Sequence, residues 1–204
     1  MRRATGAARD IVNGMTQQLS ISRPAATVAA LAAAAGLASG VPWYLNRSDV
    51  IESHVPGTEA LIPHIAVALV VAIWFVAASR RSPLGAKVVF APLGRPIMAR
   101  VAATFRRANP LRWLAVGLIV FLEVYMCWRI GAQVFAGLDP NFVHNAWGGP
   151  SYLGAMLFHY LDGALLFPIC HTLLRWATVP APTSADRQHE HPEQPLGVRV
   201  RVAG

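Results

Sequence analysis

Two apolar segments of this chain, residues 111–136 and 151–177, carry side chains that can bind protons or form ion pairs. The polar residues within them are Glu123, Arg129, Gln133, His159 and Asp162. Carboxylates, histidine and arginine are the groups from which proton relays and buried ion pairs are built. Because such groups are costly in an apolar segment, these five form the candidate site.

The polar residues of the first segment share one side of a helix. At 100° per residue, Glu123, Met126, Arg129, Ile130 and Gln133 fall within an arc of about 120°. Exposing such polar side chains to the hydrocarbon interior of a membrane is energetically costly. We therefore predict that this arc faces either the interior of the protein or a partner.

The second segment supplies the matching residues. His159 and Asp162 are three positions apart and lie on one side of a helix. Arg129 and His159 are nearly equally far from the basic ends of their segments. If the two helices are adjacent and antiparallel, Arg129 reaches His159 or Asp162, and Glu123 lies near Asp162.

Three roles for this cluster stay open at the level of sequence. An internal ion pair of Arg129 with Asp162 or Glu123 would fix the helix register. A proton or small-molecule site would use the carboxylates and His159. Contact with a larger membrane complex would place the polar face against another chain.

Cofactors and metals receive little support. His64 and His159 are the only histidines placed to ligate a haem as a pair, but a single histidine in an apolar helix is more often hydrogen bonded within the core. We predict no cofactor and no metal site. Cys127 and Cys170 lie at different depths and are predicted to be free thiols. The chain contains no phosphate-binding glycine loop, nucleophile elbow or paired-cysteine motif.

Composition supports a membrane protein. The chain has 204 residues, 54% of them hydrophobic and 14% charged, and its mean hydropathy is +0.41. The net charge of +8 would suit nucleic acid only with a binding motif and a basic folded face. The basic residues instead lie between apolar segments, so no nucleic-acid partner is predicted.

Four apolar segments are long enough to cross a bilayer. They cover residues 24–45, 61–79, 111–136 and 151–177. We predict an all-α, polytopic integral membrane protein whose four transmembrane helices form a small bundle, with 24–177 as its single domain. A cleaved signal peptide ending near Gly40 is the alternative for the first segment. Ala32, Gly36 and Gly40 favour close packing of that segment inside the bundle over a dimer seam.

Charge sets the expected orientation. Sixteen of the 18 Lys and Arg residues fall in the leader 1–23, the loop 80–110 with its flanking Arg112, or the tail side from Arg175 onward. The positive-inside rule places these regions, and so both termini, in the cytoplasm. The basic loop is expected to meet anionic lipid through an amphipathic helix at about 97–105. The tail 178–204 is expected to be disordered.

These patterns favour an accessory or interaction subunit of a bacterial-type cytoplasmic membrane, bound to another membrane protein, over an enzyme. The alternative is a proton-coupled carrier or a membrane-embedded enzyme that uses Glu123, Arg129, His159 and Asp162. The two functions make opposite predictions for neutral substitutions. A carrier or enzyme should lose activity when Glu123 becomes Gln, whereas a steric contact should tolerate that change.

Overall fold

The computed structural model describes residues 20–181, so most of the predicted leader and of the predicted disordered tail lies outside the described residues. Within 20–181 all regular structure is helical, apart from one isolated antiparallel bridge between Ile21 and Gly94. The helices are α1 (Arg23–Leu45), α2 (Leu61–Arg81), a 3-10 helix (Gly85–Leu93), α3 (Arg95–Arg107), α4 (Pro110–Ala136), α5 (Pro140–His144) and α6 (Tyr152–Ala177).

The all-helical prediction is confirmed, and α1, α2, α4 and α6 are long and apolar enough to cross a membrane. Their bounds lie within two residues of the predicted segments. Large apolar side chains on these helices point outward: Ile62 is 82% exposed and Leu153 is 78% exposed. Exposed apolar side chains recur along all four helices, and apolar surface of this extent is typical of a face that meets a membrane or another protein.

The starts of α4 and α6 are fixed by capping residues. The Asn109 side chain accepts a hydrogen bond from the Arg112 backbone N–H at 3.0 Å, and Pro110 occupies the first helical position. Ser151 accepts from the Gly154 N–H at 3.1 Å. Both arrangements satisfy backbone donors that a helix start leaves unpaired. They fix where α4 and α6 begin, and therefore how far along each helix its polar residues lie.

The four long helices form a row in the order α1, α4, α6, α2, and α2 also packs against the 3-10 helix. The α1–α4 seam is tight because glycines lie on it. A Cβ atom at Gly36 would overlap the carbonyl oxygen of Trp128, and one at Gly131 would overlap that of Ala33. The prediction that the small residues of α1 pack within the same chain is thus confirmed.

Contacts along the row also give the helix directions. Gly36 faces Trp128 and the later Gly40 faces the later Ala132, so α1 and α4 are parallel. Gly163 of α6 faces Met126 of α4, whereas the later Gly137 faces the start of α6, so α4 and α6 are antiparallel as predicted. The expected bundle is therefore an open row with α1 and α2 at its two ends.

The connections 46–60 and 137–151 meet at one end of the row and form what we call the acidic face. Asn141 accepts from the Glu52 N–H through Oδ1 at 2.8 Å and donates to the Val50 carbonyl at 2.9 Å. The Ala60 N–H donates to the Trp147 carbonyl at 2.9 Å. Because α1 and α2 lie at opposite ends of the row, the connection 46–60 must cross the ends of α4 and α6.

The opposite end, which we call the basic face, is organised by α3. Arg100 donates from Nε to Thr178 Oγ1 at 3.0 Å, and from one terminal nitrogen to the carbonyls of Arg175 at 2.7 Å and Thr178 at 3.0 Å. These bonds satisfy carbonyl groups that the end of α6 leaves unpaired. The guanidinium thereby joins α3 to the end of α6.

The region 80–110 is more ordered than a loop. A helix is present at 97–105 as predicted, and part of its apolar side packs within the protein. Ile97 and Val101 are buried against Val116 of α4 and Leu174 of α6, which removes these side chains from water, whereas Phe105 is 45% exposed. Contact of this region with anionic lipid stays a prediction.

Candidate functional site

The polar arc of α4 faces α6. The side chains of Met126 and Ile130, which lie on that arc, approach Gly163 of α6: a Cβ atom there would lie 3.5 Å from Met126 Cε and 3.9 Å from Ile130 Cδ1. The absence of a side chain at Gly163 lets the two helices approach closely at this level. The candidate residues are thus carried by adjacent helices.

Asp162 pairs with α2 rather than with α4. Its Oδ1 lies 3.5 Å from Nε2 of His64, while Nδ1 of His64 lies 2.8 Å from the Ala60 carbonyl oxygen. The His64 ring is stacked on Phe158, with 4.2 Å between ring centroids. His64 is only 4% exposed. Sequence reasoning considered His64 only as a haem ligand.

His159 lies between the two sides of the site. Its ring is tilted against Phe142, with 5.8 Å between centroids. Arg129, Asp162 and His64 are the charged groups close enough to act on it electrostatically. The structure therefore brings α4, α6 and α2 together around His159, one helix more than the sequence predicted.

Arg129 does not form the expected ion pair. Within residues 20–181 both ion pairs involve histidine, and no carboxylate lies within 4.0 Å of the Arg129 guanidinium. Its hydrogen-bond partner is the Tyr125 hydroxyl, one turn earlier on α4, at 3.5 Å. The Tyr125 side chain is 37% exposed on the surface of the helix row. The Arg129 side chain thus reaches along α4 towards an exposed surface.

Glu123 and Gln133 lie on either side of this centre. The Glu123 carboxyl group lies close enough to the thiols of Cys127 and Cys170 to interact with them electrostatically. Cys170 lies two helical turns beyond Asp162, or about 12 Å nearer the basic face. Glu123 Oε1 and Gln133 Nε2 are buried without a hydrogen-bond partner among residues 20–181. Both cysteines are free thiols, as predicted.

The same geometry bears on ligands. Both ring nitrogens of His64 point at oxygen atoms, so this histidine presents no free nitrogen to a haem iron. Within residues 20–181 no three His, Cys, Asp or Glu residues are grouped as a metal site requires.

A second titratable cluster lies on the acidic face. His54 Nε2 is 2.9 Å from Glu59 Oε1, and His54 Nδ1 is 2.8 Å from the His144 carbonyl oxygen. A hydrogen bond from its own backbone N–H, the charge of His54 and the Gly57 N–H lower the pKa of Glu59. No sequence spacing pointed to this cluster, because its parts come from two separate connections.

Comparison with protein-family models, curated proteins and solved structures gives no significant match to this chain. The residues themselves define the class: an all-helical protein with four helices long and apolar enough to cross a membrane. Its polar residues gather where α4, α6 and α2 meet.

Proposed function

We propose that this chain is an accessory or interaction subunit of a bacterial-type cytoplasmic membrane, with its basic face in the cytoplasm. Four apolar helices support insertion into a bilayer. The helix directions support the orientation, since α1 and α4 both run from the basic face to the acidic face. Sixteen of the 18 basic residues lie in the regions assigned to the cytoplasm.

The observation that carries the proposal is the unpaired guanidinium of Arg129. A cation at hydrocarbon depth needs a counter-charge. Within residues 20–181 no carboxylate lies within 4.0 Å of this guanidinium. Asp162 is paired with His64, and Arg129 donates a hydrogen bond to the Tyr125 hydroxyl. A carboxylate on a transmembrane helix of another protein would complete the site.

The surface beside Arg129 suits a helix. Phe121 and Tyr125 stack one turn apart on α4, with 6.3 Å between ring centroids, and Phe121 is 61% exposed. Aromatic side chains and arginine are the residue types that dominate binding energy at protein interfaces. We call Phe121, Tyr125 and Arg129 the docking stripe.

Photo-crosslinking tests the docking stripe. A photoreactive phenylalanine analogue at Phe121 should give a protein adduct in native membranes, and the same analogue at Leu31 on α1 serves as the control. Arg129→Gln should reduce the adduct at least tenfold, which corresponds to about 1.4 kcal/mol. Arg112→Gln, at the other end of α4, should leave the adduct unchanged. A monomeric chain that gives only lipid adducts at position 121 would contradict the proposal.

The basic face adds a second partner, anionic lipid. Trp113 and Trp176 are 41% and 77% exposed, and they lie in the terminal turns of α4 and α6 at this face. Tryptophan favours the membrane interface, and basic residues beside it attract acidic headgroups at about 1 kcal/mol each. Binding of the purified chain to vesicles with and without phosphatidylglycerol measures this contribution.

A second candidate function is a proton-coupled carrier or membrane-embedded enzyme. The contact between His64 and Asp162 favours it, since both groups can exchange protons close to His159. Asp162→Asn separates the two functions. A carrier or enzyme should lose turnover, whereas an interaction subunit should still give the Phe121 adduct.

A further inference from the structure

The contacts of His64 determine how many protons it needs. A carbonyl oxygen only accepts, so the 2.8 Å contact with the Ala60 carbonyl requires a proton on Nδ1. Nε2 faces a carboxyl oxygen of Asp162 at 3.5 Å. With neutral His64 and ionised Asp162, two lone pairs would face each other there. A second proton, on Nε2 or on the carboxyl group, replaces this repulsion with attraction.

We propose that His64 and Asp162 form a proton-binding site that holds α2 against α6. The site binds one dissociable proton, shared between Nε2 of His64 and Oδ1 of Asp162. An imidazolium beside a carboxylate and a neutral imidazole beside a carboxylic acid are two descriptions of the same proton count. Loss of this proton leaves facing lone pairs and removes the attraction between the two helices. This inference does not depend on the docking stripe.

The packing around His64 explains why this contact matters for the arrangement of α2 and α6. His64 is almost fully buried between Phe158 and Trp147, whereas the Asp162 side chain is 34% exposed, so the imidazole is the enclosed member of the contact. Nearer the basic face the two helices are separated by an apolar cleft of about 380 Å³, lined in part by Val70, Trp74, Pro168 and Leu173. The pair therefore adds a polar contact between α2 and α6 beside this apolar cleft.

Other titratable and charged groups also face this site. On α6, His159 is close enough to interact with His64, and Arg129 of α4 acts on His159. On the connection before α2, Glu59 is paired with His54. Assignment of a proton effect to His64 and Asp162 thus requires substitutions that remove each of these neighbours separately.

Spin-label distances measured on the purified chain in lipid nanodiscs test the inference. Labels at Ile73→Cys on α2 and Leu166→Cys on α6 occupy exposed positions, with Cys127 and Cys170 replaced by Ala. Packed helices keep their axes about 8–10 Å apart. The distance distribution should be narrow at acidic pH and should lengthen and broaden as the pH is raised and the proton leaves.

Asp162→Asn is the decisive variant. The asparagine amide donates permanently to neutral Nε2, so the narrow distribution should persist at every pH. Asp162→Leu supplies no donor and should give the broad distribution at every pH. His159→Gln, Arg129→Gln and Glu59→Gln should each retain the pH dependence of the parent chain.

Two results would overturn the proposal. One is a wild-type distance distribution that does not change between acidic and alkaline pH. The other is an Asp162→Asn chain that opens with pH as the wild type does. Because no partner protein is present, neither result depends on whether Arg129 docks a helix.

Discussion

Nε2 of His64 lies 3.5 Å from Oδ1 of Asp162, and this contact joins α2 at one end of the helix row to α6 inside it. The carboxylate is thereby occupied on the side of α6 away from α4. Arg129 instead donates a hydrogen bond to the Tyr125 hydroxyl on its own helix. One pairing thus accounts for both the proposed proton site and the proposed docking stripe.

The α1–α4 seam predicts a large effect from a single methyl group. Gly36→Ala places a Cβ atom against the Trp128 backbone carbonyl, and overpacking of this kind costs about 1–3 kcal/mol or more. Gly117→Ala is the matched control on α4, because nothing lies within 4 Å of a Cβ atom there. Unfolding in mixed detergent micelles should show a lower free energy of unfolding for Gly36→Ala than for the parent chain. Gly117→Ala should leave that free energy unchanged.

The Arg100 contacts predict local opening at the end of α6. Arg100→Ala removes the donors to Thr178 and Arg175, and hydrogen bonds to a charged group contribute about 1.5–3 kcal/mol. Hydrogen exchange of the last turn of α6 should become faster, while that of its first turn stays unchanged. Arg106→Ala, at an exposed position of α3, should have no such effect. Equal protection in both variants would show that Arg100 does not hold this end.

The acidic face should respond to acid through Glu59. Since its pKa is lowered below the ordinary value of 4.5, the folded connection binds fewer protons than the unfolded one as the pH falls. The stabilisation is present above the ordinary value and is lost as the pH falls through the lowered one. A spin label at Ser53→Cys should gain mobility across that range. In Glu59→Gln the mobility should not change with acid, and an unchanged acid transition there would exclude Glu59 as its source.

Orientation is tested by labelling from one side. With Cys127 and Cys170 replaced, Ser53→Cys on the acidic face should react with an impermeant maleimide in intact cells. Lys87→Cys on the basic face should react only after permeabilisation. Both positions are exposed, so accessibility within the protein does not bias the comparison. The reverse pattern would invert the proposed topology.

Sequence periodicity predicted a good part of this arrangement. The segment lengths predicted four long helices. The polar arc of α4 was predicted to face the interior of the protein or a partner, because polar groups facing hydrocarbon are costly, and it faces α6. The pairing of Asp162 was harder to predict. Counting residues from the helix ends gives the height of a side chain along the axis, but it does not give the side of the helix on which a partner lies. His64, on a third helix, lies at the same height as Asp162 and pairs with it. Similarly, the amphipathic pattern of α3 predicted an apolar side but did not specify that Ile97 and Val101 pack against α4 and α6.

The open row also has a consequence for biogenesis. Since α1 packs against α4 and α2 packs against α6 as well as the 3-10 helix, neither of the first two helices meets its long-helix neighbour until the second half of the chain has been synthesised. During synthesis the chain must therefore keep two long apolar helices apart from one another until α4 and α6 follow. A chain that stops before α4 would leave the α1 glycine seam and the His64 side of α2 without their partner helices.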